Sequence, residues 1–566
     1  ILSSVYAVVL RKDLPNPLQP ESDEEKIADP AKAAPPPDPT KKPEPPKFGI
    51  DLDDIEHRII TLPIPASTHQ ALEPGPPGSF FIVTSSPQAT ATSFGGGGAM
   101  IQKFSFSDRK VTPFAQGAGG ISLSADSQKV LLFRAGGFGI VPAAVPPQPG
   151  QGNVDLSGLQ VKVDPKVEWR HMYHEVWLNE PMLFYADNLH GIDAKQMDKR
   201  YEPFVDNVSS RDDLNYLFTD MVGEISIGHM WAQGGDIPGV KGIPGGLLGA
   251  DYAFENGRYR ITRVYDGERW NPGFFAPLAQ PGVNAKAGEY ILEIDGKELK
   301  DSNDIYEKLE AKAGKQVKVK IGPNPDGAGS REVTVIPIAN EFNLRQKAWT
   351  EDNRRYVEKM TGGRAGYVHV PDTGGGGWNS FIRYYYSQTN RDGIIVDERF
   401  NQGGLINDYM VYEMKKTLDA AFTPRTGKDW PTPGSTIYGP KVMIVNQFAG
   451  SGGDMFPWLF KKHKIGPVVG KRTWGGLVAS FGFPLADGGG VNSPNCAFYN
   501  PASGKWEVEG YGVAPDIDVE LDPYLWRQGK DAQLERAIAE INKLLKNYKR
   551  PILKRPANPD KSKIGT

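Results

Sequence analysis

The segment that most clearly suggests catalytic chemistry is NQFAGSGGDMF at 446–456, a glycine-rich turn that contains a serine. A run of apolar residues typical of a buried strand ends just before this segment, and an apolar helix is predicted to begin at Met455. Ser451 is therefore expected near a helix N-terminus, where free N–H groups and the helix dipole favour developing negative charge. A nucleophilic serine needs that geometry, with the next N–H available to an oxyanion. The same small residues also cap ordinary helices, and the frame AGSGG is not the Gly-x-Ser-x-Gly elbow.

A second glycine-rich strand end, VDERFNQGG at 396–404, is a candidate to supply another N–H. Its alternative interpretation is a tight turn that needs positive φ. Phosphate binding is disfavoured, because the chain has neither a Walker lysine here nor a Gly-x-Gly-x-x-Gly pattern.

A serine hydrolase needs a base, and the chain has eight histidines. His229 follows a predicted helical region at a glycine-containing break, GEISIGHMW at 223–231. From spacing alone, a packed histidine is the favoured interpretation of this residue and a general base is the alternative.

The segment HMYHE at 171–175 raises a metal hypothesis. Its spacing puts His171 and His174 three residues apart, without the sandwiched glutamate of known zinc helices. Surface and packing roles are favoured for both, and no metal or cofactor is predicted. A zinc hydrolase centred on these two histidines is kept as a third hypothesis.

A carboxylate candidate lies in WEVEGYGVAPD at 506–516. The alternation predicts a strand with Trp506 and Val508 on one face and Glu507 and Glu509 on the other. A carboxylate just before a turn can hold an imidazole in the required tautomer. The alternative is a solvated strand face.

The elements that must position these residues change along the chain. Evenly spaced short strands over 1–155, with runs at 58–62, 80–84, 100–104 and 129–133, predict propeller blades or a β-sandwich. The run ISLSADSQ at 121–128 resembles a propeller blade repeat, which favours the C-terminal part of a β-propeller. A Pro-rich linker or insertion is predicted at about 14–48. A small helical domain is predicted at 156–238, and SSRDD at 209–213 is predicted to cap its third helix, which runs to Met221. Alternating helices and buried strands at 343–550 predict an α/β domain, followed by a tail at 551–566.

Residues 239–342 return to short strands and resemble a PDZ domain of the circularly permuted bacterial type. The resemblance rests on GGLLG at 245–249, AGEYILEIDGK at 287–297 and a helix followed by the strand QVKVKI. In that fold a glycine-rich loop offers backbone N–H groups to a peptide carboxylate beside an open strand edge. The loop residues are Gly246, Leu247, Leu248 and Gly249.

Composition narrows the function classes. A net charge of -3 gives no basic excess, so a nucleic-acid partner is disfavoured. One cysteine excludes an internal disulfide framework and a Cys-rich zinc module. No run reaches the roughly 18 apolar residues of a transmembrane helix, so no membrane span is predicted. The first residues have the pattern of a mid-domain strand, which predicts that the chain begins inside a fold.

Taken in order, the motifs resemble the tricorn proteases and their bacterial homologues, in the C-terminal-processing-peptidase class of serine proteases. The motifs are the helical segment, the Gly-Glu break before His229, the PDZ segment, the two glycine turns and the 506–516 segment, and they span about 156–550. The resemblance implies a multidomain fold. Its parts are a partial β-propeller, a small helical domain, a PDZ domain and an α/β (crotonase/ClpP-like) serine-protease domain.

The resemblance also implies residue roles. Ser451 matches the nucleophile, His229 the general base and Glu509 the acidic residue of the charge network. The N–H groups of Gly452 and Gly404, the latter favoured over its neighbour at 403, match the oxyanion hole. The family carries a serine just before its histidine, whereas this chain has Gly228. A relay to the carboxylate is then expected to use water or another hydroxyl, such as that of Ser226.

The implied function is a serine endo- or carboxypeptidase that cleaves peptides or unfolded proteins through an acyl-enzyme, without a cofactor. The alternative is a catalytically inactive propeller and PDZ scaffold that binds peptides, with Gly228 marking a decayed site. Ring-shaped hexamers in the family imply a homo-oligomer. A cytoplasmic location is expected, with a periplasmic or secreted one as the alternative because the N-terminal part is predicted to be missing.

Overall fold

A computed structural model describes residues 3–19, 48–84, 99–134, 137–240, 242–268, 271–300 and 304–562. The chain divides into two compact units, Ile1–Lys162 and Val163–Thr566. Most of the Pro-rich segment predicted at 14–48 lies outside the described residues. In the part of the chain that the structure describes, no helix combines the length and apolarity needed to cross a bilayer.

The first unit consists of short antiparallel strands. Strands β3 to β6 form one sheet in sequence order, β7 to β9 form another, and β1 pairs with β2. The buried side chains that alternate along these strands, such as Phe81, Ile101 and Leu132, form the core. The strands are β1 (Tyr6–Val8), β2 (Ile59–Thr61), β3 (His69–Pro74), β4 (Ser79–Thr84), β5 (Met100–Ser105), β6 (Lys110–Gln116), β7 (Ala118–Leu123), β8 (Lys129–Arg134) and β9 (Gly137–Pro142).

The four predicted strand runs of this unit coincide with β2, β4, β5 and β8. Small antiparallel sheets agree with an all-β unit. The described residues form no closed ring, so the propeller stays a prediction.

The second unit begins with three helices, α1 (Pro165–Leu183), α2 (Ala194–Val205) and α3 (Arg211–Gly223). The predicted cap of the third helix is confirmed: Ser210 Oγ accepts the N–H of Asp213, and the Asp213 carboxylate accepts the N–H of Ser210. The apolar faces of the helices pack together with residues from a distant hairpin, among them Phe483 and Val491.

An antiparallel sheet follows in the region predicted as a PDZ domain. Its order is β11-β12-β13-β15-β16, which makes β11 an edge strand. The loop 246–249 leads directly into that edge. The elements are β11 (Ala250–Glu255), β12 (Arg258–Val264), β13 (Tyr290–Ile294), β14 (Lys297–Glu298), α4 (Ile305–Lys308), β15 (Val317–Gly322) and β16 (Arg331–Val335), after a short β10 (Ala232–Gln233).

The last region is a layered α/β fold, as predicted. Its central sheet has parallel strands in the order β17-β18-β21-β22-β27, and all of them except the edge strand β27 are buried on both faces. Helix α10, with Asp531 as its N-cap, packs on one face. The main elements are α5 (Phe342–Met360), β17 (Ala365–His369), α6 (Gly375–Tyr386), β18 (Gly393–Asp397), α7 (Asn407–Lys415), β19 (Ala420–Phe422), β20 (Trp430–Thr432), β21 (Lys441–Val445), α8 (Gly452–Lys462), β22 (Val468–Gly470), β27 (Ile517–Asp518), α9 (Pro523–Arg527) and α10 (Ala532–Asn547).

Between β22 and β27 the chain leaves the central sheet. It forms β23 (Val478–Pro484), β24 (Gly490–Ala497), β25 (Tyr499–Asn500) and β26 (Lys505–Trp506). The first two strands make a hairpin that pairs with β10, so this part of the α/β region reaches the helical region.

Candidate active site

Ser451 lies in the turn between buried strand β21 and helix α8. Its backbone is in the left-handed region, with φ 59° and ψ -116°. A non-glycine residue rarely adopts such a conformation, and strain of this kind occurs at functional turns. The Ser451 N–H donates to Asp454 Oδ2 at 2.8 Å. The predicted order of strand, turn and helix around the serine is therefore confirmed, but the helix begins at Gly452 and not at Met455.

The second glycine turn packs directly against this serine. A methyl group at residue 403 would lie 2.7 Å from Ser451 Cβ and 3.1 Å from its Oγ. The N–H of Gly403 donates to Asn401 Oδ1 at 2.9 Å, and the Asn401 carbonyl accepts the N–H of Gly450 at 3.0 Å. Hydrogen bonds thus join the two turns side by side.

Gly404 and Gly452 face each other at the junction of the turns. A methyl group at residue 452 would lie 2.7 Å from the Gly404 nitrogen and would overlap the Thr373 hydroxyl. Gly404 has φ +134°, a conformation that L side chains rarely adopt. Among the described residues, no acceptor takes the N–H of Gly404 or of Gly452. Two neighbouring free N–H groups beside a serine form a suitable cradle for an oxyanion.

Asp454 ties the serine turn to the loop that follows β22. Its buried carboxylate accepts the N–H groups of Gly475 at 2.8 Å and Gly476 at 3.1 Å, and also the hydroxyl of Thr473. Burial raises the pKa of Asp454, although these three donors and the N–H of Ser451 act in the opposite direction.

Trp474, in that loop, connects the serine turn to His229. The backbone N–H of Trp474 donates to Ala449 O at 2.9 Å. The indole ring of Trp474 covers Gly450, and a methyl group at residue 450 would overlap this ring. The His229 ring stacks on the same indole, with ring centroids 5.3 Å apart and planes at 30°. The structure therefore brings His229 and Gly450, the residue before Ser451, to the same indole.

The position of His229 depends on its neighbours in the fold. Its backbone is left-handed (φ 62°), and strand β10, just after it, pairs with β24. The ring also lies 5.0 Å from that of Trp231. Its Nδ1 is buried and has no hydrogen-bond partner among the residues described. Burial lowers the pKa of His229, which favours the neutral imidazole that a general base requires.

Glu509 reaches the residue before the histidine. Its Oε1 accepts the N–H of Gly228 at 2.8 Å, while its Oε2 is buried without a hydrogen-bond partner in the described chain. Burial raises the pKa of Glu509. The Ser226 hydroxyl points instead to the Glu224 carbonyl, at 3.5 Å. Glu509 thus contacts the backbone of Gly228 directly, and a relay from His229 through water or a hydroxyl stays a prediction.

The strand predicted for 506–516 is wrong beyond its first residue. Strand β26 ends at Trp506, and Val508 has φ 77°, which turns the chain. Trp506 is 61% exposed and Val508 only 5%, so the two do not share a face. Glu507 accepts hydrogen bonds from Trp458 Nε1 and Asn500 Nδ2, both at 3.0 Å. The turn, not strand alternation, directs Glu509 to Gly228.

The PDZ loop is held by internal contacts. The N–H of Gly246 donates to Leu309 O, and that of Leu247 to Ile338 O, both at 2.8 Å. The N–H of Gly249 donates to the carboxylate of Glu341. Leu248 is buried and contributes to the core of the domain.

The two histidines of the zinc hypothesis point to separate carboxylates. His171 Nε2 lies 3.9 Å from Glu175, and His174 Nδ1 lies 3.3 Å from Asp198. Within the described ranges, the only three-residue group with atoms close enough to hold a metal ion is elsewhere and exposed. It consists of Asp54, Glu56 and His57.

Two residues of this site have no signal in the sequence. Trp474 and Thr373 contact the turns from other segments, and no local pattern marks them. Asp454 stands in the serine motif itself, three residues after Ser451, where a carboxylate at the third helical position is a capping signal.

Family models agree with this arrangement. The family model of the tricorn protease C1 domain matches residues 165–223, that of the tricorn protease PDZ domain matches 246–340, and that of peptidase family S41 matches 364–519. The three occur in the order of the helical, PDZ and α/β regions.

Individual relatives extend over most of the chain. The Tricorn protease of Thermoplasma volcanium is 30% identical over 510 residues, covering 89% of this chain and 49% of that protein. The Putative Tricorn-like protease C-terminal subunit of Sulfurisphaera tokodaii is 33% identical over 498 residues, covering 86% of this chain and 57% of that protein.

A solved crystal structure of the tricorn protease superposes on this chain with a TM-score of 0.76 at 28% identity. The superposition covers 88% of this chain and 49% of the tricorn protease chain. This chain spans about half the length of the relatives it matches. From the ordered domain matches, the shared fold and the two glycine turns that meet at a strained serine, we conclude that the chain belongs to the tricorn protease family.

Proposed function

We propose that this chain is a serine peptidase that hydrolyses peptide bonds through an acyl-enzyme formed on Ser451. The substrates proposed are peptides or unfolded proteins, and no cofactor takes part. Support comes from the family membership and from the geometry around the serine. The observation that carries the proposal is the pair of free N–H groups, Gly404 and Gly452, beside a serine in a strained strand–helix turn.

In the proposed mechanism, Ser451 Oγ attacks the peptide carbonyl while His229 accepts the hydroxyl proton. The carbonyl oxygen becomes an oxyanion, which the N–H groups of Gly404 and Gly452 stabilise. His229 then donates the proton to the leaving amine as the C–N bond breaks. Water, deprotonated by His229, attacks the acyl-enzyme, and collapse of the second tetrahedral intermediate releases the carboxylate and restores the serine.

Glu509 is proposed as a positioning residue rather than a proton acceptor. It holds the backbone of Gly228 and so orients the histidine that follows. Trp474 is proposed to act similarly, because its indole is the surface on which the imidazole stacks. Asp454 fixes both the Ser451 turn and the Trp474 loop.

Labelling with a fluorophosphonate probe tests the proposal. We expect the full chain to be modified at Ser451, and modification to disappear in Ser451→Ala and to fall sharply in His229→Ala. Turnover of an unfolded protein substrate should fall by roughly 10⁶-fold in Ser451→Ala. Ser210→Ala is the matched control, since it removes a helix-capping serine outside the site and should label as wild type.

The inactive scaffold is the competing outcome of this experiment. A folded chain that is labelled at no serine and cleaves no substrate would support a peptide-binding scaffold. Labelling at another serine, with Ser451→Ala unaffected, would show that the nucleophile is misassigned. Activity lost on chelation and restored by zinc would instead support the metal hypothesis.

The finer organisation remains part of the proposal. We place a partial propeller at 1–155, the helical domain that carries the base at 156–238, the PDZ domain at 239–342, the catalytic domain at 343–550 and a tail at 551–566. The division of the chain after Lys162 and the family matches support these boundaries. A homo-oligomer and a cytoplasmic location stay predictions.

A further inference from the structure

The PDZ loop already holds a carboxylate. The N–H of Gly249 donates to Glu341 Oε1 at 2.7 Å in a buried hydrogen bond, and the Glu341 residue is only 5% exposed. Gly249 has φ +75°, a left-handed conformation at the point where the loop enters edge strand β11. A backbone N–H that bonds a carboxylate beside an open strand edge is the arrangement by which such loops bind a peptide C-terminus.

Glu341 is firmly held in this position. Its Oε2 accepts hydrogen bonds from Arg345, at 2.7 Å from Nη2 and 3.0 Å from Nε. The same guanidinium reaches Asp251 at 2.6 Å and the hydroxyl of Tyr265 at 2.9 Å. Charge-assisted contacts of this kind are stronger than neutral ones, so the buried carboxylate is well compensated.

Glu341 immediately precedes α5, the first helix of the α/β region, and Arg345 lies within that helix. The carboxylate therefore reaches into the PDZ loop from the junction of two domains. A second contact crosses the same junction, where Glu268, just beyond β12, bonds Lys347 of α5 at 2.7 Å and also Arg383 of α6. Glu268 makes this contact without touching the loop, which provides a matched comparison.

The groove beside the loop contains an unsatisfied polar group. The Tyr252 hydroxyl, on β11, is buried and has no hydrogen-bond partner among the described residues. Burial raises the pKa of Tyr252, with Glu341 and Tyr306 of α4 as the nearest acidic influences. The Tyr252 side chain packs against the core of the domain and lies 6.3 Å, ring to ring, from Tyr259 of β12.

We infer that Glu341 is an internal ligand of the PDZ loop, occupying in this chain the place of a peptide's terminal carboxylate. The loop then binds a free peptide C-terminus only when Glu341 is displaced, and otherwise fastens the PDZ domain to α5. This inference rests on the proposed peptide-binding role of residues 246–249. It does not depend on catalysis by Ser451.

The test measures peptide binding in the full chain carrying Ser451→Ala, so that no probe is hydrolysed. The probes are a short fluorescein-labelled peptide that ends in leucine with a free carboxylate, and the same peptide as its C-terminal amide. Fluorescence anisotropy should show weak binding of both when Glu341 is present. Adding Glu341→Ala should tighten binding of the free acid at least tenfold and leave the amide unchanged.

Two further variants separate loop vacancy from loosening of the domain junction. Glu268→Ala breaks the other cross-junction contact and should leave peptide binding weak. Glu341→Gln keeps the shape of the side chain and the acceptor for Gly249 but loses the ion pair, so it should give an intermediate gain and guards against misfolding of the alanine variant.

Deuterium exchange provides a second readout. The Gly249 amide should exchange slowly in the parent chain and at least tenfold faster in Glu341→Ala, with no change in Glu268→Ala. The inference is overturned if the parent chain binds the free acid as tightly as Glu341→Ala does, if acid and amide gain equally, or if Glu268→Ala produces the same gain. Loss of fluorophosphonate labelling would bear on the proposed peptidase alone.

Discussion

Two glycine loops of this chain look alike in sequence and differ in what they bind. In the catalytic region, Gly404 and Gly452 present N–H groups that no described residue accepts. In the PDZ region, the N–H of Gly249 is occupied by the carboxylate of Glu341. Glycine lets a backbone approach a ligand closely, but it does not determine whether the ligand comes from outside or from the chain itself.

The difference has a simple physical origin. A buried N–H must be paired, so each loop needs acceptors for the groups it buries. At the serine, Asn401 accepts the N–H of Gly403 and Asp454 accepts that of Ser451. The N–H groups of Gly404 and Gly452 have no acceptor among the described residues. At the PDZ loop, the chain supplies an acceptor for the last group as well. An open loop is therefore one whose pairing is incomplete.

The largest effect is expected from closing the open loop. Gly404→Ala would force a side chain into φ +134° and into overlap with Thr373, which displaces the N–H from the serine. Turnover should fall by about 10²–10³-fold, as when one oxyanion donor is lost. Steady-state kinetics with a peptide substrate measures the change.

Its control is Gly362→Ala, at φ +59° with no atom within 4 Å. This variant carries the backbone strain of about 1–2 kcal/mol without the overlap, and should keep wild-type turnover. A folded Gly404→Ala chain with wild-type turnover would remove Gly404 from the oxyanion hole.

The equivalent change in the occupied loop should affect stability instead of chemistry. Gly249→Ala strains a residue at φ +75° and puts a methyl group 3.2 Å from Pro277 Cδ. We expect a loss of about 1–2 kcal/mol in the free energy of unfolding of this domain and no change in turnover of a short peptide. Thermal denaturation and kinetics on the same preparation check this. A large loss of turnover would mean that the two loops are coupled.

A smaller effect is expected at Gly228, where the family has a serine. A methyl group there would lie 3.1 Å from Gly476 Cα and 3.2 Å from Glu509 Oε1, so its neighbours must move by a few tenths of an ångström. Gly228→Ala should lower turnover about threefold through this crowding. Gly228→Ser should be more active than Gly228→Ala, because its hydroxyl can donate to the carboxylate. The reverse order would argue against a role of Glu509 in positioning His229.

The smallest effect is a displacement of the pH profile. Burial lowers the pKa of His229 from its ordinary value of 6.5, so the neutral base persists to lower pH than a solvent-exposed histidine would. The acid limb of kcat/KM should therefore have its midpoint below 6.5, and activity should be lost as pH falls through that midpoint. A midpoint at or above 6.5 would show that another group controls this limb.

Much of the fold was predictable, since it depends on local pattern. The β-branched runs at β18 and β21 predict buried parallel strands, and Ser210 with Asp213 predicts a helix start. Ser451 was also predictable, because a strand end, small residues and a helix start are contiguous in the chain. In each case the information lies within about ten residues.

The remainder depends on contacts between distant segments, which a single sequence does not reveal. Trp474 meets His229 across 245 positions of chain only because β10 pairs with β24. Glu509 was found by family resemblance, but the predicted strand failed because the left-handed Val508 breaks the alternation. Glu341 had no signal, since it resembles any polar residue before a helix.

The composition of the helical core determines when, during synthesis on the ribosome, this core can be completed. That core includes Phe483, Leu485 and Val491, which the ribosome adds after Ser451. A nascent chain that has just emerged through the serine therefore lacks part of the surface that sets the histidine in place. If the chain is the peptidase proposed above, cleavage is expected only after synthesis has passed the β23–β24 hairpin.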